Sequence, residues 1–437
     1  MASARAAPGD HLHLGDAVVA PSLGVSAAYD DNVYLADGVD APIVGAPGLL
    51  VEPRFRVTLA KSTLQLSWEL GYRLSKLLDL APNDGARVGR LDRFNEVDSS
   101  VDIAAFTASP VGFRVSDAFA IKNQPTEVED GATPANLVTT SNAASGGLTL
   151  RPRSALTLDL LGQIGLDNYR VPDVQTASAP TYNNRASFGP QLDLQWSALP
   201  KSNLILDSSV TWYRWQNHLV QAVGPEVEGP DYGDYVGKPD ALAWRARVGI
   251  ETPLSTKIGV KVEAGLGQAY YDERTVLHDS AGLDVSADEL DLAGGESFGQ
   301  DLTDPGAGLL VDVQGAWAPV QSQSLVLGYR KDFEDAVFTN YIAYNYGYLR
   351  YRGTFWDRLD LSLEVGARLE SLHGEVHRDD VIGRARGEVA YVITAATAVR
   401  LAGQWSQRAC AVRGCEGVYA PTQYTDLEAE IGVAVTY

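Results

Sequence analysis

The chain has 437 residues, 42 of them glycine, and a formal net charge of -21; so acidic a balance excludes a nucleic-acid partner held by phosphate electrostatics. Hydrophobic residues make up 45 % and charged residues 21 %, which excludes wholesale disorder and leaves either two or three ordinary domains or one large all-β domain. No segment approaches the roughly 18 uninterrupted apolar residues of a spanning helix, yet a membrane barrel passes the same test, because its hydrophobicity sits in every second residue.

The first residues, Met1-Ala-Ser-Ala-Arg-Ala-Ala-Pro8, contain no apolar core of a signal peptide, and Met1 is the single methionine. This start is consistent with a trimmed export signal. Residues 1–17 are read as an N-terminal periplasmic segment and 18–437 as one transmembrane barrel. The first strand is expected near Leu23–Tyr29, followed by Asp30-Asp-Asn-Val-Tyr34, where Asp and Asn suit a turn. Next, Leu49, Val51, Phe55, Val57 and Leu59 alternate with Glu52, Arg54, Arg56 and Thr58. After the tip Ala60-Lys-Ser-Thr63, Leu64, Leu66, Trp68, Leu70 and Tyr72 face one way while Gln65, Ser67, Glu69, Gly71 and Arg73 face the other. A period of two places these sets on opposite faces of strands joined in a hairpin.

The construction recurs. Tight tips are expected at Ala108–Pro110, Arg151–Ser154, Ala198–Ser202, Pro253–Lys257, Pro319–Ser322, Trp356–Arg358 and Thr394–Thr397, each between alternating segments, with a last strand over Leu427–Tyr437. Eight tight hairpins alternating with longer connections predict an all-β fold: a single up-and-down antiparallel transmembrane β-barrel of about 18 strands. A propeller lacks its repeated motif here, and a sandwich demands crossovers that strict short–long alternation does not supply. So wide a barrel is not filled by side chains, so its apolar face is expected to meet lipid. Tyr29, Tyr72, Trp196, Trp212, Trp317, Tyr341, Tyr391 and Trp405 are expected to form the interfacial girdles of an outer-membrane barrel.

The other face then lines the lumen. Arg330, Arg350, Arg352, Arg368, Arg384, Arg386, Arg400 and Arg408 come from five consecutive late strands, and Arg54, Arg56 and Arg73 extend the same arc from the early ones. Arg245, Arg247 and Lys261 form a smaller group; Glu96, Asp98, Asp102, Asp159, Asp193, Asp207, Asp360 and Glu364 supply lumenal acid. Two readings stand: cross-bracing of the wall, or a path for an anionic solute. Tyr344, Tyr346 and Tyr348 share the alternation of Arg350 and Arg352. They either line the lumen, where aromatic faces suit a sliding sugar polymer, or belong to a girdle turned outward by a bulge.

The acidic stretch Glu273–Gly306 is read as a solvated loop. No metal site or cofactor is expected: His373-Gly-Glu-Val-His377 lacks the helical His-Glu-x-x-His order. No histidine is placed for a catalytic triad, so no enzyme is expected. Cys410 and Cys415, the chain's two cysteines, are spaced for a small loop disulfide in an oxidising compartment. The terminus Glu430-Ile-Gly432-Val-Ala-Val435-Thr-Tyr437 resembles the C-terminal signal that barrel-assembly machinery reads, with Glu430, Gly432, Val435 and Tyr437 in its places.

The strand plan together with Asp30–Tyr34 resembles the outer-membrane barrel family found with capsule and exopolysaccharide gene clusters, which is similar to the 18-stranded alginate exporter with its arginine-rich lumen. That resemblance implies a polysaccharide-export channel of the bacterial outer membrane, with lipid, a polysaccharide, a periplasmic export protein and the barrel-assembly machinery as partners. The lumenal acid departs from the pattern. A general or solute-specific porin, and a structural anchor for an envelope complex of adhesion or gliding, are the alternatives.

Overall fold

The computed structural model describes residues 12–32, 45–78, 93–122, 138–170, 184–216, 240–271, 277–278, 284–285, 308–336, 341–373, 378–411 and 423–436. Alternating apolar and polar residues fold into β1 (Leu12–Leu14), β2 (Ala17–Asp30), β3 (Ala46–Ala60), β4 (Leu64–Leu77), β5 (Arg93–Ala105), β6 (Val111–Lys122) and β7 (Val138–Arg153). They continue as β8 (Leu156–Arg170), β9 (Asn184–Leu199), β10 (Ser202–Gln216), β11 (Ala241–Pro253), β12 (Ile258–Tyr271), β13 (Leu277–His278) and β14 (Asp284–Val285). The chain ends with β15 (Leu309–Trp317), β16 (Gln323–Asp335), β17 (Tyr341–Phe355), β18 (Leu359–His373), β19 (Arg378–Thr394), β20 (Thr397–Cys410) and β21 (Tyr424–Thr436). No helix occurs among the described residues.

Every barrel strand runs antiparallel to its chain neighbours, and β21 returns to β2, with Ser22 opposite Thr436 and Asp30 opposite Glu428. The ring of β2–β12 and β15–β21 is therefore closed, with 18 strands and no free edge. All eight expected tips are hairpin turns on one end of the barrel, and the longer connections fall on the other. β1 pairs with Ala17–Val19 of β2, in line with the end of β21. β13 and β14 form a separate two-stranded ladder.

The outward face is apolar: Val111, Phe113 and Val115 on β6, and Ile431, Val433 and Val435 on β21, are exposed at every second position. A closed ring wrapped in exposed Leu, Val, Ile and Phe is stable in lipid rather than in water; the chain is an outer-membrane β-barrel. Asp117 shares the outward face of β6 with Val115 and Phe119, and its carboxylate accepts a hydrogen bond from Asn142 on β7 (3.1 Å). Of the expected girdle, Tyr29, Tyr72, Trp196, Trp212, Trp317 and Tyr391 are exposed on that face, and Trp405 is half-buried, laid over Gly383. Tyr341 corrects the expectation: it is 3 % exposed, stacked on His373 and Tyr271 inside the protein. His373 is the last residue of β18. Gly432 sits where β21 meets β2, and a Cβ there would lie 2.2 Å from Ser26 Oγ, so this position of the terminal pattern is fixed by close strand approach. Tyr437 and Cys415 lie outside the described residues; Cys410 is in a disulfide.

Candidate functional site

The arginines of the expected arc lie on five adjoining strands, Arg330 on β16, Arg350 and Arg352 on β17, Arg368 on β18, Arg384 and Arg386 on β19, Arg400 and Arg408 on β20, and, past β21 and β2, Arg54 and Arg56 on β3 and Arg73 on β4. Most of it is matched by acid. Arg54 meets Glu69 at 3.3 Å and Asp98 at 3.8 Å, and Arg56 also binds Glu69. Arg330 pairs with Asp312 (2.9 Å), Arg350 with Glu364 (3.0 Å), and Arg368 with Glu370 (2.6 Å) and Glu334. Two arginines reach past the closing seam: Arg73 to Glu430 (2.9 Å) and Arg400 to Glu52 (3.8 Å), the latter also holding Glu388 (2.9 Å). Such partly exposed pairs contribute about 0.2–1 kcal/mol each, so their main effect is to hold the wall in register. Arg352 and Arg386 make no ion pair among the described residues.

Arg408 differs from the substrate-path expectation. It is 4 % exposed and is clamped with the fully buried Arg378 on Asp380, so it is a structural group and not a surface along which a solute slides. The bonds are Arg408 Nη2 to Asp380 Oδ2 at 2.6 Å and Arg378 Nε to the same oxygen at 2.9 Å.

The tyrosines lie on the arginine face. Arg350 sits 4.4 Å over Tyr348, Arg368 4.0 Å over Tyr344, and Tyr346 stacks on Tyr348 with centroids 5.3 Å apart. Their rings cover glycines of the flanking strands: a Cβ on Gly328 would meet Tyr348 and one on Gly366 would meet Tyr346, each within 3 Å. They therefore lie flat against the wall, filling the gaps that glycine leaves.

The outer corner of β16 and β17 is folded into the lumen. β15 has nine residues and pairs with β16 only up to Val311 opposite Lys331. Above that point the β16–β17 pair leans inward, and its outer face, Phe333, Tyr341 and Ala343, packs on the inner face of Ala241, Ala243, Ala269, Tyr271 and Leu310. Arg245 binds both the Asp332 carboxylate (3.3 Å) and the Phe333 carbonyl (2.7 Å) and stacks over the Phe333 ring, while Arg247 also binds Asp332. Asp335 reaches Arg185 on β9 at 3.3 Å, five strands around the ring. A cavity of about 590 Å³ remains between this flap and a wall of small polar residues that includes Ser145, Gln163, Ser187 and Thr211.

The flap escaped the sequence reading, although a signal was present. Lys331 and Asp335 share the alternation of Leu325, Leu327 and Tyr329, and charge on a lipid-facing register is costly; the strand had to leave the membrane wall there. Opposite the basic arc, Asp159 on β8, Asp193 on β9 and Asp207 on β10 stand side by side. Asp159 is nine strands from Arg386, half of the ring, and its Oδ1 is buried with no hydrogen-bond partner.

The fold and lumen define a transmembrane barrel with a charge-lined bore narrowed from within. No protein-family model matches the chain, and no curated protein matches it. Among solved structures its fold is similar to that of the outer membrane protein OpdK from Pseudomonas aeruginosa, at 10 % identity over 96 % of this chain and 99 % of that one, TM-score 0.43. It is also similar to OccK9 (OpdG) of the same organism, at 13 % identity, 97 % and 99 % coverage and TM-score 0.43. The FrpB iron transporter from Neisseria meningitidis aligns at 8 % identity, 95 % and 81 % coverage and TM-score 0.49. The likeness is one of overall barrel architecture.

Proposed function

We propose that this protein is a passive, non-enzymatic channel for small charged or polar solutes across the outer membrane. The observation that carries the reading is the charge opposition across the bore: Arg352 and Arg386 on one side, and the Asp159–Asp193–Asp207 row on the other, with Asp159 half a ring from Arg386. An 18-strand ring leaves an aqueous space, and charges outside ion pairs set up a field across it that orients a solute by its own charges. The flap narrows that space on one side, which favours small solutes over a polymer. Purified protein in planar bilayers is expected to give stable stepwise ohmic conductance. Repeated insertion without conductance would sink the proposal.

Export of a polysaccharide with a periplasmic partner is the second reading, favoured by one observation: three tyrosines with arginines stacked on two of them face the lumen. A deletion strain separates the two. Unchanged surface polysaccharide with impaired solute uptake supports the channel; lost polysaccharide supports export.

A further inference from the structure

We propose that the outer end of the seam between the first and last barrel strands, β2 and β21, binds one divalent cation, calcium by its ligand chemistry. Asp30, Asp31 and Asp426 each offer a carboxylate oxygen, all within 4.8 Å of one another. Calcium–oxygen bonds are about 2.4 Å long, so oxygens of one coordination shell lie up to roughly 5 Å apart. Proximity of acids alone is not a site, since exposed carboxylates are simply hydrated. Here Asp426 is 4 % exposed, and its Oδ1 is shut off from solvent with no hydrogen-bond donor. Among the described residues no lysine or arginine forms an ion pair with any of the three.

The other two carboxylates are held in place. Asp30 Oδ1 accepts a bond from the Asn32 amide (2.8 Å), and Asp31 Oδ1 accepts one from the Leu427 amide (2.7 Å), leaving the second oxygen of each for a ligand. Asn32 is 1 % exposed and donates through Nδ2 to the Thr425 carbonyl at 3.0 Å, tying the end of β2 to the start of β21. The nearby arginines Arg73 and Arg386 act on Glu428, the next acid along β21. A cation between the three aspartates supplies the positive charge that this corner lacks. An all-oxygen donor set suits a hard cation rather than zinc, and an irregular set from two strand ends suits calcium rather than strictly octahedral magnesium. The ion would staple the two strands whose pairing closes the ring. This inference goes beyond the channel reading and does not depend on it.

The test uses the full chain folded in detergent, stripped with a chelator and titrated with calcium chloride in equilibrium dialysis, beside Asp426→Asn and Asp31→Asn, which keep shape and remove charge. Wild type is expected to take up one calcium ion saturably. Each variant is expected to bind roughly ten-fold more weakly or worse, because affinity follows the ligand charge count, while keeping the gel mobility of a folded barrel. Equal affinity in wild type and Asp426→Asn overturns the proposal, as does folded wild type without saturable uptake. Weak uptake by the acidic stretch 273–306 persists in all three proteins and is subtracted by the comparison.

Discussion

Asp380 holds two guanidinium groups, those of Arg378 and Arg408, in a region closed to water. Removing one member of a buried ionic cluster leaves the rest desolvated and uncompensated, at about 3–5 kcal/mol. Asp380→Ala is therefore expected to lower stability by that amount in urea unfolding from lipid vesicles, and Asp380→Ala/Arg378→Met/Arg408→Met to recover part of it. Arg352 and Arg386 are a different case, since neither forms an ion pair among the described residues. Arg352→Glu/Arg386→Glu is expected to shift the zero-current potential in a potassium chloride gradient toward cation selectivity, with little effect on folding. An unchanged potential would leave these two arginines without a part in permeation. The facing of the arginines of the arc was legible in the sequence, because alternation alone decides it. It did not reveal their partners: Arg73 meets Glu430, and Arg400 meets Glu52, across strands that stay three apart in the ring and come within reach only when it closes.

At the scale of the element, the inward corner of β16 and β17 is the main departure from a regular barrel. Phe333 at 2 % exposure packs between Arg245 and the inner face of β12, where a Cβ on Gly267 would lie 2.6 Å from its ring. Phe333→Ala removes that contact, at a cost of about 3 kcal/mol, and Gly267→Ala pushes against the ring. Both variants are expected to loosen the flap, read as larger and noisier single-channel conductance. A trace identical to wild type would mean that the flap does not limit the passage. The hairpins were all legible because each turn is written in a few consecutive residues. The flap was harder, since it depends on β15 stopping short and on contacts with strands far along the chain. The tyrosine strand was ambiguous for a related reason: Tyr344, Tyr346 and Tyr348 fit either face until Gly328 and Gly366 are seen to lie beneath the rings.

For the whole molecule, the apolar belt makes lipid the solvent of the outer wall. Val248, 63 % exposed near the middle of β11, is expected to face the bilayer interior, and Val248→Arg to cost about 2–4 kcal/mol in folding into vesicles; a neutral effect would remove Val248 from the belt. Strand number and closure were readable because they follow from alternation and turn spacing. The nature of the cargo was not, because it depends on how charges face one another across a space that the chain encloses only at the end. The resemblance to polysaccharide exporters leaned partly on Asp30–Tyr34, and the described part of that element, Asp30–Asn32, serves to tie β2 to β21. The bridge from Asp335 to Arg185 has a further consequence, for it spans five strands of the circle. It works as a gauge of girth: losing one hairpin from this perimeter, even if the remaining strands resealed, would shorten the chord this internal strut has to fit. Circumference and inner bracing are thus inherited together, and repeat gain or loss in such a protein must remake its interior along with its size.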